Sequence, residues 1–154
     1  MKPVTNIVIG GLGGQGVVTA SDILADAAFL AGHDVKKSDI HGMAQRGGSV
    51  SSDIRFGSCV FSPMIPTNEA DYVVILDESR YNDFAYRARR SAVILSPSQL
   101  GNVPLSSKKA TNIALLGLLT RQLRLDPQFV ELAMRKRLKP TAQEASLQTF
   151  RLFS

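Results

Sequence analysis

The first third of the chain contains a short apolar run, then a segment with helical periodicity, then a second short run. Val4–Ile9 is apolar, rich in β-branched residues and followed by glycines, which predicts a buried first strand. From Gln15 onward, apolar residues recur at steps of three and four until Gly32, which predicts a helix with one face on a core. Asp34–Ser38 is then expected to form a second strand.

The remainder of the chain adds further strands and then helices. Ser49–Phe56 alternates like a half-exposed strand, whereas Tyr72–Leu76 is a continuous apolar run, typical of a sheet covered on both faces. A helix is predicted over Tyr81–Arg90 and a strand over Ala92–Leu95. Three helical segments close the chain, at about 111–124, 127–138 and 140–152. This order favours a three-layer α/β/α fold with a mostly parallel sheet, a Rossmann-like start and C-terminal helices, with residues 1–154 as a single domain.

Composition excludes several kinds of cofactor site. The 154 residues include one cysteine and two histidines. A cubane iron–sulfur cluster needs about four thiolates, and a structural zinc ion about four Cys/His ligands, so one copy of the chain can hold neither. Apolar runs are far shorter than the roughly 20 residues of a membrane span, and the N-terminus lacks a secretory pattern. We therefore expect a cytoplasmic protein without a membrane partner.

The excess of basic residues behind the net charge of +5 lies mostly in two clusters, which have two interpretations. They are a patch for phosphate, nucleic acid or an acidic partner, or they are the solvated faces of two helices. The clusters comprise Arg87, Arg89 and Arg90, and then Arg121, Arg124, Arg135, Lys136, Arg137 and Lys139. No aromatic residues interleave with them as a stacking platform would require, so no nucleic-acid partner is expected.

A glycine-rich loop is the first candidate binding site. Gly-Leu-Gly-Gly-Gln-Gly at positions 11–16 follows the first strand and opens the helix, so that backbone amides at a helix N-terminus are free to meet an anion. The candidate residues are Gly11, Gly13, Gly14, Gln15 and Gly16. The spacing also fits a dinucleotide site, but the acidic residue expected after the second strand is not clear. Asp34 lies at the start of that strand rather than at its end, and Asp39 is a poor second choice.

A second glycine loop provides the stronger candidate. His-Gly-Met-Ala-Gln-Arg-Gly-Gly at 41–48 contains the candidate residues Gln45, Arg46, Gly47 and Gly48. The planar fork of Arg46 suits a carboxylate or phosphate. Alternatively, Gln45 and Arg46 stitch the loop to a neighbouring subunit or to helix caps of the same domain. We expect the first two strands to be adjacent and parallel, which would place both loops side by side at the carboxyl end of the sheet.

Four motifs in order then resemble a known family. They are Gly-Leu-Gly-Gly-Gln-Gly-Val-Val-Thr-Ala (11–20), Ala-Gln-Arg-Gly-Gly-Ser-Val (44–50), Ile-Arg-Phe-Gly (54–57) and Ser-Pro-Met-Ile-Pro followed by Glu-Ala-Asp (62–71). Together they resemble the gamma-type subunit or domain of 2-oxoacid:ferredoxin oxidoreductases. The 41–48 motif is most similar to that of the small (beta) subunit of indolepyruvate ferredoxin oxidoreductase.

The resemblance implies an oxidoreductase subunit that acts on an oxo group with an iron–sulfur protein as acceptor. The complex would make acyl-coenzyme A, carbon dioxide and reduced ferredoxin from a 2-oxoacid such as indolepyruvate. Thiamine diphosphate and iron–sulfur clusters would lie in a large partner subunit, coenzyme A would be a co-substrate, and this chain would carry no cofactor, metal or catalytic residue. The isolated chain is then expected to be inactive. Two alternatives are a regulatory or anion- and nucleotide-binding module outside the complex, and a stand-alone dinucleotide enzyme.

The chain departs from the family pattern at two places. Asn68 stands where the family usually has glycine before Glu-Ala-Asp, a mild change because asparagine tolerates a left-handed backbone. Only Glu78–Thr111 separates the Leu-Asp-Glu strand end from the closing helices, where the family usually has tens of residues more. That shortening is expected to expose a sheet edge or to alter the partner surface.

Overall fold

The computed structural model describes residues 4–41, 48–102, 105 and 110–154, with only the backbone described at His41. The strands are β1 (Thr5–Leu12), β2 (Asp34–His41), β3 (Ser49–Gly57), β4 (Ala70–Ile75) and β5 (Ala88–Leu95). The helices are α1 (Val17–Leu30), α2 (Tyr81–Phe84), α3 (Thr111–Leu123), α4 (Pro127–Arg137) and α5 (Pro140–Phe153). Short 3₁₀ turns lie at Glu78–Arg80, Ala85–Arg87 and Pro97–Leu100. No helix in the described part of the chain is long and apolar enough to cross a membrane.

The five strands form one mixed sheet in the order β2-β3-β1-β4-β5. Four strands run in one direction, but β3 runs against them and pairs antiparallel with both β1 and β2. The prediction of a mostly parallel sheet therefore holds for the strand directions and for the β1–β4 and β4–β5 pairs only. The prediction that β1 and β2 are adjacent is wrong. Few residues separate β2 from β3, too few for a parallel crossover, so these strands form an antiparallel pair.

One face of the sheet carries the larger hydrophobic core. Alternate residues of the strands, such as Ile7, Ile9 and Ile54, are buried there against α1 and α3. Helix α4 packs on α1, and α5 packs on α3. At Gly117 in α3, an added Cβ would lie 2.9 Å from the Phe150 carbonyl oxygen, which shows how closely α5 approaches. The three C-terminal helices agree with the segments predicted from sequence.

The other face of the sheet has a thinner cover. Val8, Val73 and Ile75 pack there against Phe84 of α2 and Ile65 of the segment between β3 and β4. A Cβ at Gly10 would lie 2.6 Å from the Phe84 ring, so glycine is needed for the ring to sit flat on β1. This face is covered by short elements rather than by a long helix.

Two local expectations have different outcomes in the structure. The helix predicted over Tyr81–Arg90 ends early, because Ala88 pairs with β4 and begins β5. Asn68 adopts a positive φ of 59°, the left-handed conformation for which glycine is usually selected. The substitution at Asn68 thus keeps the turn that the family's glycine would make.

Several residues of the basic clusters form ion pairs. Arg87 pairs with Asp53, and Arg89 pairs with Asp71. Arg137 of α4 donates from Nε and Nη2 to the two carboxylate oxygens of Asp26 in α1, at 2.6 and 3.0 Å. The first cluster lies on a 3₁₀ turn and on β5, so its interpretation as a helix face is wrong.

We expect Asp26→Asn to weaken the attachment of α4 to α1 in a pH-dependent way. The hydrogen bond from Arg137 holds the pKa of Asp26 below its usual value of 3.8. A lowered folded-state pKa stabilises the fold above the unfolded pKa, and this contribution disappears as the pH falls through the folded value. The pair is partly exposed, so the expected loss at pH 7 is about 0.5–1 kcal/mol. Urea unfolding at pH 7 and pH 2.5 should show a larger difference between wild type and variant at pH 7, and an equal loss at both values would contradict this.

Candidate functional site

The glycine loop joins the end of β1 to the start of α1. Gly14 and Gly16 have φ angles of 88° and 85°, in the region that disfavours side chains. Gly16 is the N-cap of α1, and the helix has no side-chain cap. The first-turn amides of α1 are therefore left to the backbone, to solvent or to a ligand.

Asn112 of α3 ties this loop to the C-terminal half of the chain. Its Nδ2 donates to the Gly16 carbonyl oxygen at 3.2 Å, while its Oδ1 accepts from the Ile113 amide at 2.8 Å. A Cβ at Gly16 would lie 2.3 Å from Asn112 Nδ2. Close contact with a buried amide therefore requires glycine at position 16.

Gln15 is engaged within the domain rather than turned toward a ligand. Its Oε1 accepts from the Leu12 amide at 2.7 Å, and its Nε2 donates to Asp77 Oδ2 at 2.7 Å. Asp77 follows β4, which is parallel to β1, so both residues lie at the same edge of the sheet. The Ser79 hydroxyl, followed by Gln15, keeps the pKa of Asp77 below its usual range. The Gln15 side chain thus connects the end of β1 to the segment after β4 through two hydrogen bonds.

We expect Gln15→Glu to destabilise the domain by about 1–2 kcal/mol at pH 7, because it places a second carboxylate against Asp77. One of the two carboxylates can take up a proton as the pH falls, after which they share a hydrogen bond. The loss should therefore shrink between pH 7 and pH 4. Thermal melting of the wild type and the variant at both values measures it, and a pH-independent loss would exclude charge repulsion as the cause.

A second acidic residue lies next to Asp77. Glu78 accepts from the Ser98 amide at 2.8 Å, and the hydroxyl of Ser96, its largest influence, lowers the pKa of Glu78. A cavity of about 250 Å³ lies on this side of the loop, lined by Gln15, Leu76, Asp77, Glu78, Pro97 and Thr111. The Leu-Asp-Glu strand end was visible in the sequence, but only the parallel pairing of β1 and β4 brings it to the glycine loop.

The last residue of the second glycine loop, Gly48, meets Gly13 of the first. Gly48 is buried, and its carbonyl oxygen accepts from the Gly13 amide at 3.0 Å. They meet because β3 begins at Ser49, opposite Leu12 at the end of β1, rather than through adjacent parallel strands. The remaining candidates in this loop, Gln45, Arg46 and Gly47, lie outside the described residues.

A cleft of about 410 Å³ opens beside the junction of the two loops. It is lined by Leu12, Gly13, Gly14, Gly16, Val17, Val18, Thr19 and Val50. Its floor is backbone and apolar side chains, and the first turn of α1 forms one wall. Such a wall favours a negatively charged group through the helix dipole and free amides. Of the five candidates in the first loop, Gly13, Gly14 and Gly16 line this cleft, whereas Gly11 and Gln15 do not.

The topology argues against a standard dinucleotide site. That site places an acidic residue at the end of a second strand adjacent to the first. Here β3 lies between β1 and β2. Asp39 on β2 is moreover engaged by Lys37 and by the Ser52 hydroxyl. Among the described residues, no group of three or more His, Cys, Asp or Glu side chains could hold a metal ion.

Comparison with known proteins assigns the family. A model described as pyruvate ferredoxin/flavodoxin oxidoreductase matches residues 6–152. The chain belongs to this family. It is 48% identical over 69 residues to "Indolepyruvate oxidoreductase subunit IorB" of Thermococcus kodakarensis. That match covers 45% of this chain and 34% of the relative, so the chain matches about a third of the relative's length.

Two solved structures share the fold. The keto/oxoacid ferredoxin oxidoreductase gamma subunit from Geobacter sulfurreducens aligns with a TM-score of 0.79 at 19% identity, covering 98% of this chain and 94% of that one. The 2-oxoglutarate:ferredoxin oxidoreductase from Magnetococcus marinus aligns with a TM-score of 0.77 at 16% identity, covering 99% of this chain and 30% of that one. The resemblance seen in the sequence motifs is thereby confirmed, as is the α/β fold.

Proposed function

We propose that this chain is the small subunit of a 2-oxoacid:ferredoxin oxidoreductase, with an aryl pyruvate such as indolepyruvate as the substrate of the complex. The reaction would give an acyl-coenzyme A, carbon dioxide and reduced ferredoxin. The observation that carries the proposal is the family match over nearly the whole chain. The 48% sequence identity over 69 residues with the indolepyruvate oxidoreductase subunit of Thermococcus kodakarensis supports the choice of substrate.

In this proposal the chain carries neither the thiamine diphosphate nor the iron–sulfur clusters of the complex. A cluster needs about four thiolates. The sequence has one cysteine, Cys59, and it is exposed. We therefore assign the clusters to a large partner subunit. From the family resemblance we assign thiamine diphosphate to the same subunit, and we further propose that the complex is cytoplasmic and the isolated chain inactive.

We propose that the two glycine loops form the surface through which this chain contacts the large subunit or coenzyme A. Gly13, Gly14 and Gly16 expose backbone in the 410 Å³ cleft, and the uncapped N-terminus of α1 favours an anion there. Arg46, from the adjoining loop, would add a charge-assisted fork. Coenzyme A is named as bound in the structure of the Magnetococcus enzyme, and its phosphate groups are anions that such a cleft would favour. A carboxylate of the large subunit is the other ligand that such a cleft would accept.

Co-production with a large thiamine-binding subunit tests the proposal. The purified complex should reduce ferredoxin with indolepyruvate and coenzyme A, and more slowly with pyruvate or 2-oxoglutarate at equal concentration. Omission of coenzyme A should stop product formation. A chain that does not associate with the large subunit, yet binds phosphate compounds alone, would instead be the module outside the complex.

A further inference from the structure

A buried carboxylate on the thinly covered face of the sheet is only half satisfied. Asp53 of β3 is 1% exposed. Its Oδ2 accepts from Arg87 Nη2 at 2.7 Å and, at 3.4 Å, from the Ile65 amide. Its Oδ1 is buried and has no hydrogen-bond partner among the described residues. Native proteins rarely leave a buried charged acceptor without a donor. We therefore expect a group other than the described residues to donate a hydrogen bond to this oxygen.

The carboxylate lines an open cleft of about 310 Å³. Its walls are formed by Ile40, Ser51, Asp53, Met64, Ile65, Thr67, Asp83, Phe84, Tyr86 and Arg87. Asp53 and Asp83 of this lining each have one arginine partner, so the charges nearly balance, and the unpaired acceptor Oδ1 of Asp53 favours a hydrogen-bond donor over an anion. Asp83 is itself partly satisfied, by the Ser49 hydroxyl at 2.9 Å and by Arg80 at 3.6 Å.

Large apolar side chains lie around the same cleft without cover. Met64 is 61% exposed and Tyr86 62% exposed. Methionine and aromatic residues are enriched at the centres of protein interfaces, and clustered exposed apolar groups mark such sites. A small cation could meet Asp53 but would leave both side chains in water, whereas a protein segment would satisfy the carboxylate and cover them together.

We propose that this cleft receives a side chain of the large partner subunit, which donates a hydrogen bond to Asp53 Oδ1 once the groups that cover this oxygen in the free chain move aside. The donor is a lysine or arginine, which has no acceptor, and the residues beside it are apolar and pack on Met64 and Tyr86. This inference rests on the proposed function, because it names a second contact of the same complex. The cleft lies on the α2 face of the sheet and is separate from the cleft at the glycine loops.

Asp53→Asn tests the hydrogen bond itself. Arg87 and the Ile65 amide both donate to the Oδ2 position, so the amide oxygen of asparagine must take that place. Its NH₂ group then occupies the Oδ1 position and opposes a partner donor. We expect the variant to associate with the large subunit at least tenfold more weakly than the wild type, measured by titration calorimetry with melting curves of the isolated chain.

Met64→Ala tests the apolar contact without touching the buried ion pair. Its matched control is Leu152→Ala on α5, at the same 61% exposure but on the other side of the sheet. We expect Met64→Ala to weaken association about fivefold or more, and Leu152→Ala to change it less than twofold. If the Asp53→Asn variant does not fold, the association measured for Met64→Ala alone tests the proposal.

Association within twofold of the wild type for either Asp53→Asn or Met64→Ala would overturn the proposal and leave the proposed function standing. An equal loss in Leu152→Ala would also overturn it. Failure of the wild-type chain to associate at all would instead refute the proposed function, and this inference with it.

Discussion

Gly16→Ala is expected to lower the free energy of unfolding by about 2–4 kcal/mol. A side chain at a left-handed φ of 85° costs about 1–2 kcal/mol. The new Cβ would also lie 2.3 Å from Asn112 Nδ2, so the amide must move and give up its bond to the Gly16 carbonyl oxygen. Losing that bond adds about 1–2 kcal/mol. Denaturant unfolding of the isolated chain measures the total.

Gly14→Ala is the matched control for this substitution. Gly14 has nearly the same φ, 88°, but an added Cβ has nothing within 4 Å. The control should therefore cost only the backbone strain, about 1–2 kcal/mol. Equal losses at both positions would mean that the contact between the glycine loop and α3 contributes nothing to stability.

Arg46→Ala is expected to weaken assembly or turnover roughly ten- to a hundredfold while changing stability by less than about 1 kcal/mol. Arg46 lies outside the described residues, so this prediction rests on its sequence context between Gln45 and Gly47. Loss of a charge-assisted fork to a carboxylate or phosphate removes binding energy, whereas loss of a loop charge removes no core packing. Melting of the isolated chain and ferredoxin reduction beside the large subunit separate the two effects.

Arg46→Lys is the companion variant, because it keeps the charge and loses the planar fork. We expect it to fall between the wild type and Arg46→Ala in assembly. If Arg46→Ala destabilises the isolated chain but leaves its association with the large subunit unchanged, Arg46 makes an intramolecular contact and the binding hypothesis fails.

The helices and most strands could be predicted because their signals are local. Apolar spacing and the Asp126-Pro127 start fix α4, and Asp126 does accept from the Gln128 amide. The strand order could not be predicted, because the sequence does not show whether β2 pairs with β1 or with β3. The alternation of Ser49–Phe56 indicated a strand but not its direction. Only the pairing of β3 with both neighbours resolves the order.

The contact between Gly13 and Gly48 could be predicted from the sequence, whereas the side-chain contacts around it could not. Glycines mark close backbone approach, so the meeting of Gly13 and Gly48 follows from the sequence once both loops are placed at one edge. The role of Gln15 does not follow, because its partner, Asp77, is 62 residues away. Asn112 is likewise 96 residues from Gly16. Long-range side-chain contacts of this kind leave no periodic signal in one sequence.

The most direct test of the subunit assignment is an add-back titration. The large thiamine-binding subunit is assayed for indolepyruvate- and coenzyme A-dependent ferredoxin reduction while this chain is added in increasing amounts. We predict negligible rates from either chain alone and a rate that saturates at a fixed molar ratio of the two subunits. Full activity of the large subunit without this chain, or no rise on its addition, would contradict the assignment.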